Sequence, residues 1–172
     1  MKRSKINAEI RHMEEMIEAH GFEIPPFCKW PAGEWKTKGA EYDEIRDNML
    51  GWDITDYGLS KFDEVGFSLI TIRNGNLEFA DTDVTVHCDG REFTVPAGTK
   101  VRLTPGESIT IYPYMYHDFH VEEGSGDVLL GEVSMCNDDE HDNRFYEPIG
   151  RFPEIEEDEE PYRLLCNEYP RN

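Results

Sequence analysis

Residues 104–117 read TPGESITIYPYMYH: a turn at Pro105–Gly106, an alternating strand, a second turn at Pro113, and then His117. An imidazole at the end of such a strand can point into a small β-barrel and ligate manganese, iron, zinc or nickel. It can equally be a hydrogen-bonded histidine at a strand end. His120 follows three residues on; in one extended strand the two rings face opposite sides, so they chelate together only across a turn. His87 sits beside an Asp89–Gly90 turn and reads as exposed, as do His12 and His20 near the start of the chain. Glu132 interrupts the apolar run VLLGEVSM (128–135) and shares a face with Ser134. A carboxylate inside a barrel is costly unless paired or metal-bound. Glu132 is therefore a candidate base, ligand or hydroxyl acceptor, unless its face is simply the wet one. Asp142, Asn143 and Arg144 follow His141 in a polar loop. They can close over a hydroxylated substrate or pair with one another. Asp53 and Asp56, beside Trp52 and Tyr57, are turn-forming acids or polar groups at a pocket. No nucleophile elbow, P-loop, paired-histidine zinc helix or dinucleotide fingerprint is present.

The elements that would position these groups follow from periodicity. Ile6, Ile10, Met13 and Ile17 make one stripe, so residues 4–20 are expected to be a helix, capped by Ser4 and ended by Gly21. Pro25, Pro26 and Pro31 forbid a long helix in the aromatic arm 22–39, which is expected to lie across a barrel wall or a subunit contact. A short helix fits 40–48. Strands are expected at 65–73, 82–88, 91–95, 107–112 and 128–135, with hairpin turns at Asn74–Gly75 and Asp89–Gly90. Short strands at this spacing predict an all-β sandwich or barrel beyond the helix. The acidic run 156–160 reads as a solvated loop, with metal binding as the lesser alternative, and Tyr162, Leu164, Leu165 and Tyr169 as anchors of the end onto the body.

Composition narrows the partners. The chain of 172 residues suits a single domain, 1–172: helix and arm over 1–64, barrel strands over 65–147, acidic tail over 148–172. A net charge of −20 argues against nucleic acid and anionic membrane as partners. There is no apolar run long enough to span a bilayer, and the first residues lack the apolar core of a signal peptide. Cys28, Cys88, Cys136 and Cys166 form no CxxC, so a reduced, cytoplasmic setting is expected, without a cysteine zinc site.

Several long stretches resemble the D-lyxose isomerase family, metal-dependent sugar isomerases on a cupin barrel. They are KRSKIN at the start, IPPF (24–27), RDNMLGWDITDYG (46–58), GFSLITIRNG (66–75), VTVHCDGREFTVPAG (84–98), LTPGESITIYPYMYH (103–117), GEVSMCNDDEHDNRF (131–145), PIGRFPEIEEDEEP (148–161) and LLCNEYP (164–170). The resemblance implies a cupin-like β-barrel or jelly roll and a divalent metal, Mn2+ first, with Zn2+ or Fe2+ as alternatives. It implies a pentose or hexose substrate, interconversion of D-lyxose and D-xylulose or of D-mannose and D-fructose, and a homodimer. On the family pattern His117 is a metal ligand. Position and chemistry then give Glu132 and Asp142 as catalytic carboxylates and Trp52, Asp53 and Arg144 as substrate-binding groups.

One departure is specific. Between Arg73–Asn74–Gly75 and Asp81, the family pattern carries several dozen further residues. These include an H-x-H strand, a lysine and a glutamate, and no H-x-H occurs in this chain. Three explanations fit: a central segment absent from the sequence as written, an internal deletion that has lost the metal, or substitute ligands such as His120 and Glu132. The third requires a new site to form by coincidence. Loss of barrel strands would also expose sheet edges. A 172-residue chain complete as written is expected to bind divalent metal weakly or not at all. The alternative function is then a metal-deficient cupin-like sugar-binding or assembly module.

Overall fold

The first helix forms where its apolar stripe requires, but its start is held from the far end of the chain. α1 spans Arg3–Ala19, with Ile6 and Ile10 buried on one face. Ser4 lies inside the helix, and the N-cap residue Lys2 makes no side-chain capping bond. The first N–H groups of a helix have no intrahelical acceptor; here the acidic tail provides them. The Arg3 N–H donates to the Glu156 carbonyl at 2.9 Å. The Ser4 N–H and Oγ donate to the two oxygens of Asp158 at 2.8 and 2.7 Å. Asn7 Nδ2 donates to Glu159 and to the Glu160 carbonyl. Residues 156–160 are exposed, as expected of a solvated loop, yet they serve as the cap. The helix ends as expected: Gly21 takes φ +78°, its N–H reaches the Glu18 carbonyl, and the Phe22 N–H reaches Ile17.

The computed structural model describes residues 1–53, 81–113, 115–117, 121–122, 124–133 and 154–171. It divides into two units, Met1–Val65 with Leu129–Asn172, and Gly66–Val128. In the first, the prolines of the arm allow only a 3-10 turn at Pro26–Lys29 and the one-turn α2, Ala32–Trp35. A second 3-10 turn at Ala40–Tyr42 leads into α3, Asp43–Asp47. Two apolar clusters hold this unit. Ile6, Ile10 and Leu165 pack with Met13, Trp52 and Tyr162. Trp35, Cys166 and Tyr169 pack with Phe27, Trp30 and Tyr42. The arm's aromatics thus cover the tail of their own unit, with Phe22 left exposed.

Arg3 joins the two ends of the chain. Its guanidinium is buried and donates to both oxygens of Glu157, at 2.8 and 2.7 Å, and to both oxygens of Glu168. The Arg3 bond holds the Glu157 carboxyl below its ordinary value of 4.5, and the Ser4 N–H and hydroxyl hold Asp158 below 3.8. A carboxylate whose folded pKa is depressed contributes stability that is present above its unfolded pKa and lost as pH falls through the folded one. Urea midpoints of the helical unit are therefore expected to stay level from about pH 7 down to about pH 5 and to fall steadily toward about pH 3. A midpoint unchanged across the acid half of that range would show that the carboxylates do not hold the helix.

The second unit is built on a hairpin. β1 (Asp83–Cys88) pairs antiparallel with β2 (Arg91–Pro96) and with β3 (Ile109–Thr110), in the order β2-β1-β3. Asp89 and Gly90, at φ 49° and 72°, make the two-residue turn that matches strand twist. Val84, Val86 and Cys88 alternate inward. Asp89 Oδ1 accepts from the Ser108 N–H and Oγ, both at 2.8 Å, which seats β3 beside the hairpin. The strand expected over 107–112 is reduced to the two residues that find a partner. Residues 128–133, expected as a core strand, carry no strand pairing and are exposed. A strand exists only where a neighbour takes its backbone groups, and no described strand flanks this run. The expected strand 65–73 and the Asn74–Gly75 turn lie outside the described residues. Among those residues the architecture is mixed, several helices and a small antiparallel sheet, where an all-β barrel with an N-terminal helix, an irregular arm and a short helix at 40–48 was expected.

Candidate functional site

Trp52 and Asp53 sit where the chain passes the tail. The Trp52 indole N–H donates to the Cys28 carbonyl at 2.9 Å, and the Trp52 carbonyl accepts from the Cys166 N–H at 2.8 Å. The ring packs on Ile6, Ile10 and Leu165. Its donor is thus committed within the protein. Asp53 follows it and is exposed. The approach is set by Gly51, at φ +130°, where a Cβ would run into the Tyr169 hydroxyl. That hydroxyl donates to the Leu50 carbonyl at 3.0 Å. Gly51→Ala is expected to cost about 2 kcal/mol through backbone strain and displacement of Tyr169, read from urea unfolding. Wild-type stability in that variant would mean that the Tyr169 contact contributes nothing.

Burial pushes the Cys28 thiol up to about 11, with Glu14 adding to it, so the thiol stays protonated at neutral pH and is no nucleophile. Burial likewise raises the Tyr169 hydroxyl well above its ordinary value. Glu132 is exposed in the unpaired run 128–133. Asp142, Arg144, His120, His141 and Asp56 lie outside the described residues.

His117 belongs to the other unit. After β3 the chain turns at Pro113, with the Met115 N–H on the Tyr112 carbonyl, and the exposed His117 ring places Nδ1 2.9 Å from the Met115 carbonyl. A carbonyl partner requires Nδ1 to carry the proton; in the neutral ring Nε2 is then the unprotonated nitrogen. His87, expected to be exposed, is half-buried instead. It packs edge-on to Tyr112 with centroids 4.8 Å apart and lies 3.6 Å from Glu92. The two-residue turn sets this pairing, since the register places His87 opposite Glu92. That grouping was readable from the hairpin.

Trp52, Asp53 and Glu132 thus lie in one unit and His117 in the other. Among the described residues no group of three or more histidine, cysteine, aspartate or glutamate side chains could hold a metal ion. The donor set described does not fit a divalent metal centre. Among the described residues, too, no helix is long and apolar enough to cross a membrane.

Comparison with known proteins adds what this geometry lacks. The D-lyxose isomerase family model matches residues 1–81 and 78–169, two stretches that meet at 78–81. A D-lyxose/D-mannose isomerase of Escherichia coli O157:H7 is 34% identical over 223 residues, covering 98% of this chain and 98% of the relative. One of Serratia proteamaculans is 34% identical over 225 residues, with 99% of each covered. An alignment of 223 residues against a chain of 172 leaves at least 51 positions of the E. coli relative without a counterpart here. The place where the two family matches meet coincides with the gap seen between Gly75 and Asp81.

Proposed function

The chain belongs to the D-lyxose isomerase family, and from that premise we propose that it is an aldose–ketose isomerase of a small sugar, interconverting D-lyxose with D-xylulose and accepting the D-mannose/D-fructose pair. The observation that carries this reading is similarity along nearly the whole chain, on both sides of the central gap. The two sugar pairs share the configuration of the reacting end and differ by one terminal CH2OH, so one site can serve both. The reaction moves a proton between C1 and C2 through an enediol. A carboxylate takes the proton from C2 and returns it to C1, while the proton of the C2 hydroxyl passes to the carbonyl oxygen. Glu132 and Asp142 are the carboxylates for this shuttle. Trp52 offers the wall for the sugar's apolar face, and Asp53 and Arg144 bind hydroxyls. His117 is the surviving ligand of a Mn2+ site, or of a Zn2+ or Fe2+ site. Because the described donors do not fit such a site, no step is assigned to the ion. The buried thiols of Cys28 and Cys88 support a cytoplasmic setting, and we read the units as parts of one cupin-like barrel domain that pairs as a homodimer.

The gap favours a second reading: a metal-deficient sugar-binding or assembly module of the same family. Intact mass, bound metal and D-lyxose turnover, measured on one purified sample, separate the two. A mass above that of 172 residues, about one metal per chain and rapid formation of D-xylulose would establish the isomerase. The mass of 172 residues with D-lyxose binding and no turnover would establish the module.

A further inference from the structure

We propose that β2 is a dimerisation edge: Glu92–Thr94 of one copy of this chain pair antiparallel with the same residues of a second copy, about a two-fold axis at Phe93. This surface deepens the homodimer of the functional reading and rests on that reading for the dimer alone, not for its chemistry. Among the described residues β2 is an outer strand of the sheet β2-β1-β3, and Arg91 to Thr94 are all exposed, Phe93 by 39%. The register fixes which backbone groups of β2 face outward. The Ala97 N–H donates to the Thr82 carbonyl at 3.0 Å, one step beyond the Asp83↔Pro96 pair. Hydrogen-bonded and non-bonded pairs alternate along an antiparallel ladder. The bonded pairs are therefore Val84↔Val95, Val86↔Phe93 and Cys88↔Arg91. Glu92 and Thr94 then aim their N–H and C=O groups away from β1. Pro96 aims only a carbonyl there, since it has no N–H.

The symmetric registers open to two such edges differ in what they set opposite. Centred on Glu92, the pairing faces two carboxylates directly, which is destabilising. Centred on Thr94, it sets Pro96 opposite Glu92 and leaves each Glu92 carbonyl without a donor. Centred on Phe93, Glu92 and Thr94 exchange both of their bonds with Thr94 and Glu92 of the second copy. A non-bonded pair then lies on the axis, where opposed side chains come closest, and the two Phe93 rings meet. Each ring continues the row of its cross-strand neighbour Val86, itself only 3% exposed. The apolar row thus runs unbroken from Val86 of one copy to Val86 of the other. Arg91 falls opposite Val95, and Glu92 lies 3.6 Å from His87 of its own sheet, so no like charges are directly opposed. Pro96 ends the ladder, and an edge paired with itself is used up, so assembly closes at the dimer. Each copy carries a net charge of −20. Backbone bonds and apolar contact therefore act against a long-range repulsion that salt screens.

The test is sedimentation of the full chain at about 20 and about 200 mM salt, where the dimer should strengthen as salt rises. Thr94→Pro removes an N–H that β1 does not use and, by symmetry, both Thr94 N–H bonds of the dimer. It should weaken dimerisation by at least about tenfold. Phe93→Lys sets like charges on the axis and should weaken it by a similar factor. Circular dichroism shows whether Thr94→Pro keeps the fold; Phe93→Lys, a change of an exposed side chain in an unaltered ladder, decides if it does not. Register is read by cysteine substitution. Phe93→Cys should cross-link to its own copy on mild oxidation, with the linked peptide identified by mass spectrometry, and Val95→Cys should not. A chain that stays monomeric at both salt concentrations would overturn the proposal and the homodimer with it. A dimer that survives both Thr94→Pro and Phe93→Lys, or that cross-links through Val95→Cys instead of Phe93→Cys, would overturn the proposal and leave the homodimer on another surface. D-lyxose turnover on the same samples reports on the isomerase reading separately.

Discussion

Replacing Trp35 with alanine is expected to destabilise the helical unit by about 4 kcal/mol, the upper part of the range for removing a fully buried aromatic side chain. Trp35 is 1% exposed and stacks on Tyr169 with centroids 3.9 Å apart and planes 25° from parallel. Trp30 and Phe27 meet it edge-on at 5.1 and 6.5 Å. One ring therefore ties the arm, whose α2 carries it, to the tail. α2 is a single turn, far too short to be stable without packing, so it cannot rearrange to fill the space at low cost. Domains of this size are stable by only roughly 5–15 kcal/mol, so the variant should populate partly unfolded forms on mild heating. Trp35→Phe keeps a stacking ring on Tyr169 and should lose less than half as much. Urea unfolding followed by circular dichroism measures both. A loss below about 1 kcal/mol for Trp35→Ala would mean that the aromatic cluster is not the unit's core.

The second large effect is expected at Arg3. Removing one partner of a buried ion pair costs about 3–5 kcal/mol because the remaining charge is left uncompensated. Arg3→Met should cost about 3 kcal/mol, the low end, because Glu157 keeps 54% of its side chain in water and resolvates readily, whereas Glu168 keeps only 20%. Methionine preserves the packing of the aliphatic stem, so the loss reports the charge rather than a cavity. Glu168 also accepts the Leu165 N–H, and its displacement should loosen the tail beside Trp52. The variant's acid sensitivity should flatten as well, because Glu157 would lose the partner that holds its pKa down. A steep acid loss retained in Arg3→Met would place the pH response elsewhere.

What was readable beforehand was local. The α1 stripe, the Gly21 stop, the proline-broken arm and the Asp89–Gly90 hairpin each follow from residues within a few positions of one another, and each stands in the structure. The misreadings share a cause. Ser4 looked like a cap because a hydroxyl near a helix start usually is one; the acceptor that outcompetes it, Asp158, is 154 residues away. The acidic run is the solvated loop it reads as, but the part it plays at the start of α1 is just as remote in sequence. That Cys28 takes the Trp52 N–H is likewise announced by nothing nearby in sequence. Residues 128–133 look like a strand by composition, but strandhood depends on a neighbour, and composition is silent about neighbours. For the site, family resemblance supplied the chemistry and the missing segment together. The residues alone named His117, and the hairpin register alone could have named the His87–Glu92 pair.

The junction of the two chain ends has a consequence for tolerance of length. Arg3 and Glu157 close a loop of 154 residues, and the entropy of closing a loop grows only with the logarithm of its length. Restoring fifty-odd residues to the middle would change that closure by about 0.3 kcal/mol. A fold whose first helix is clasped by its last residues is thus nearly indifferent to how much chain runs between them. The clasp can form only after the tail has been synthesised, so the helical unit should be the last part of the molecule to become protected on the ribosome.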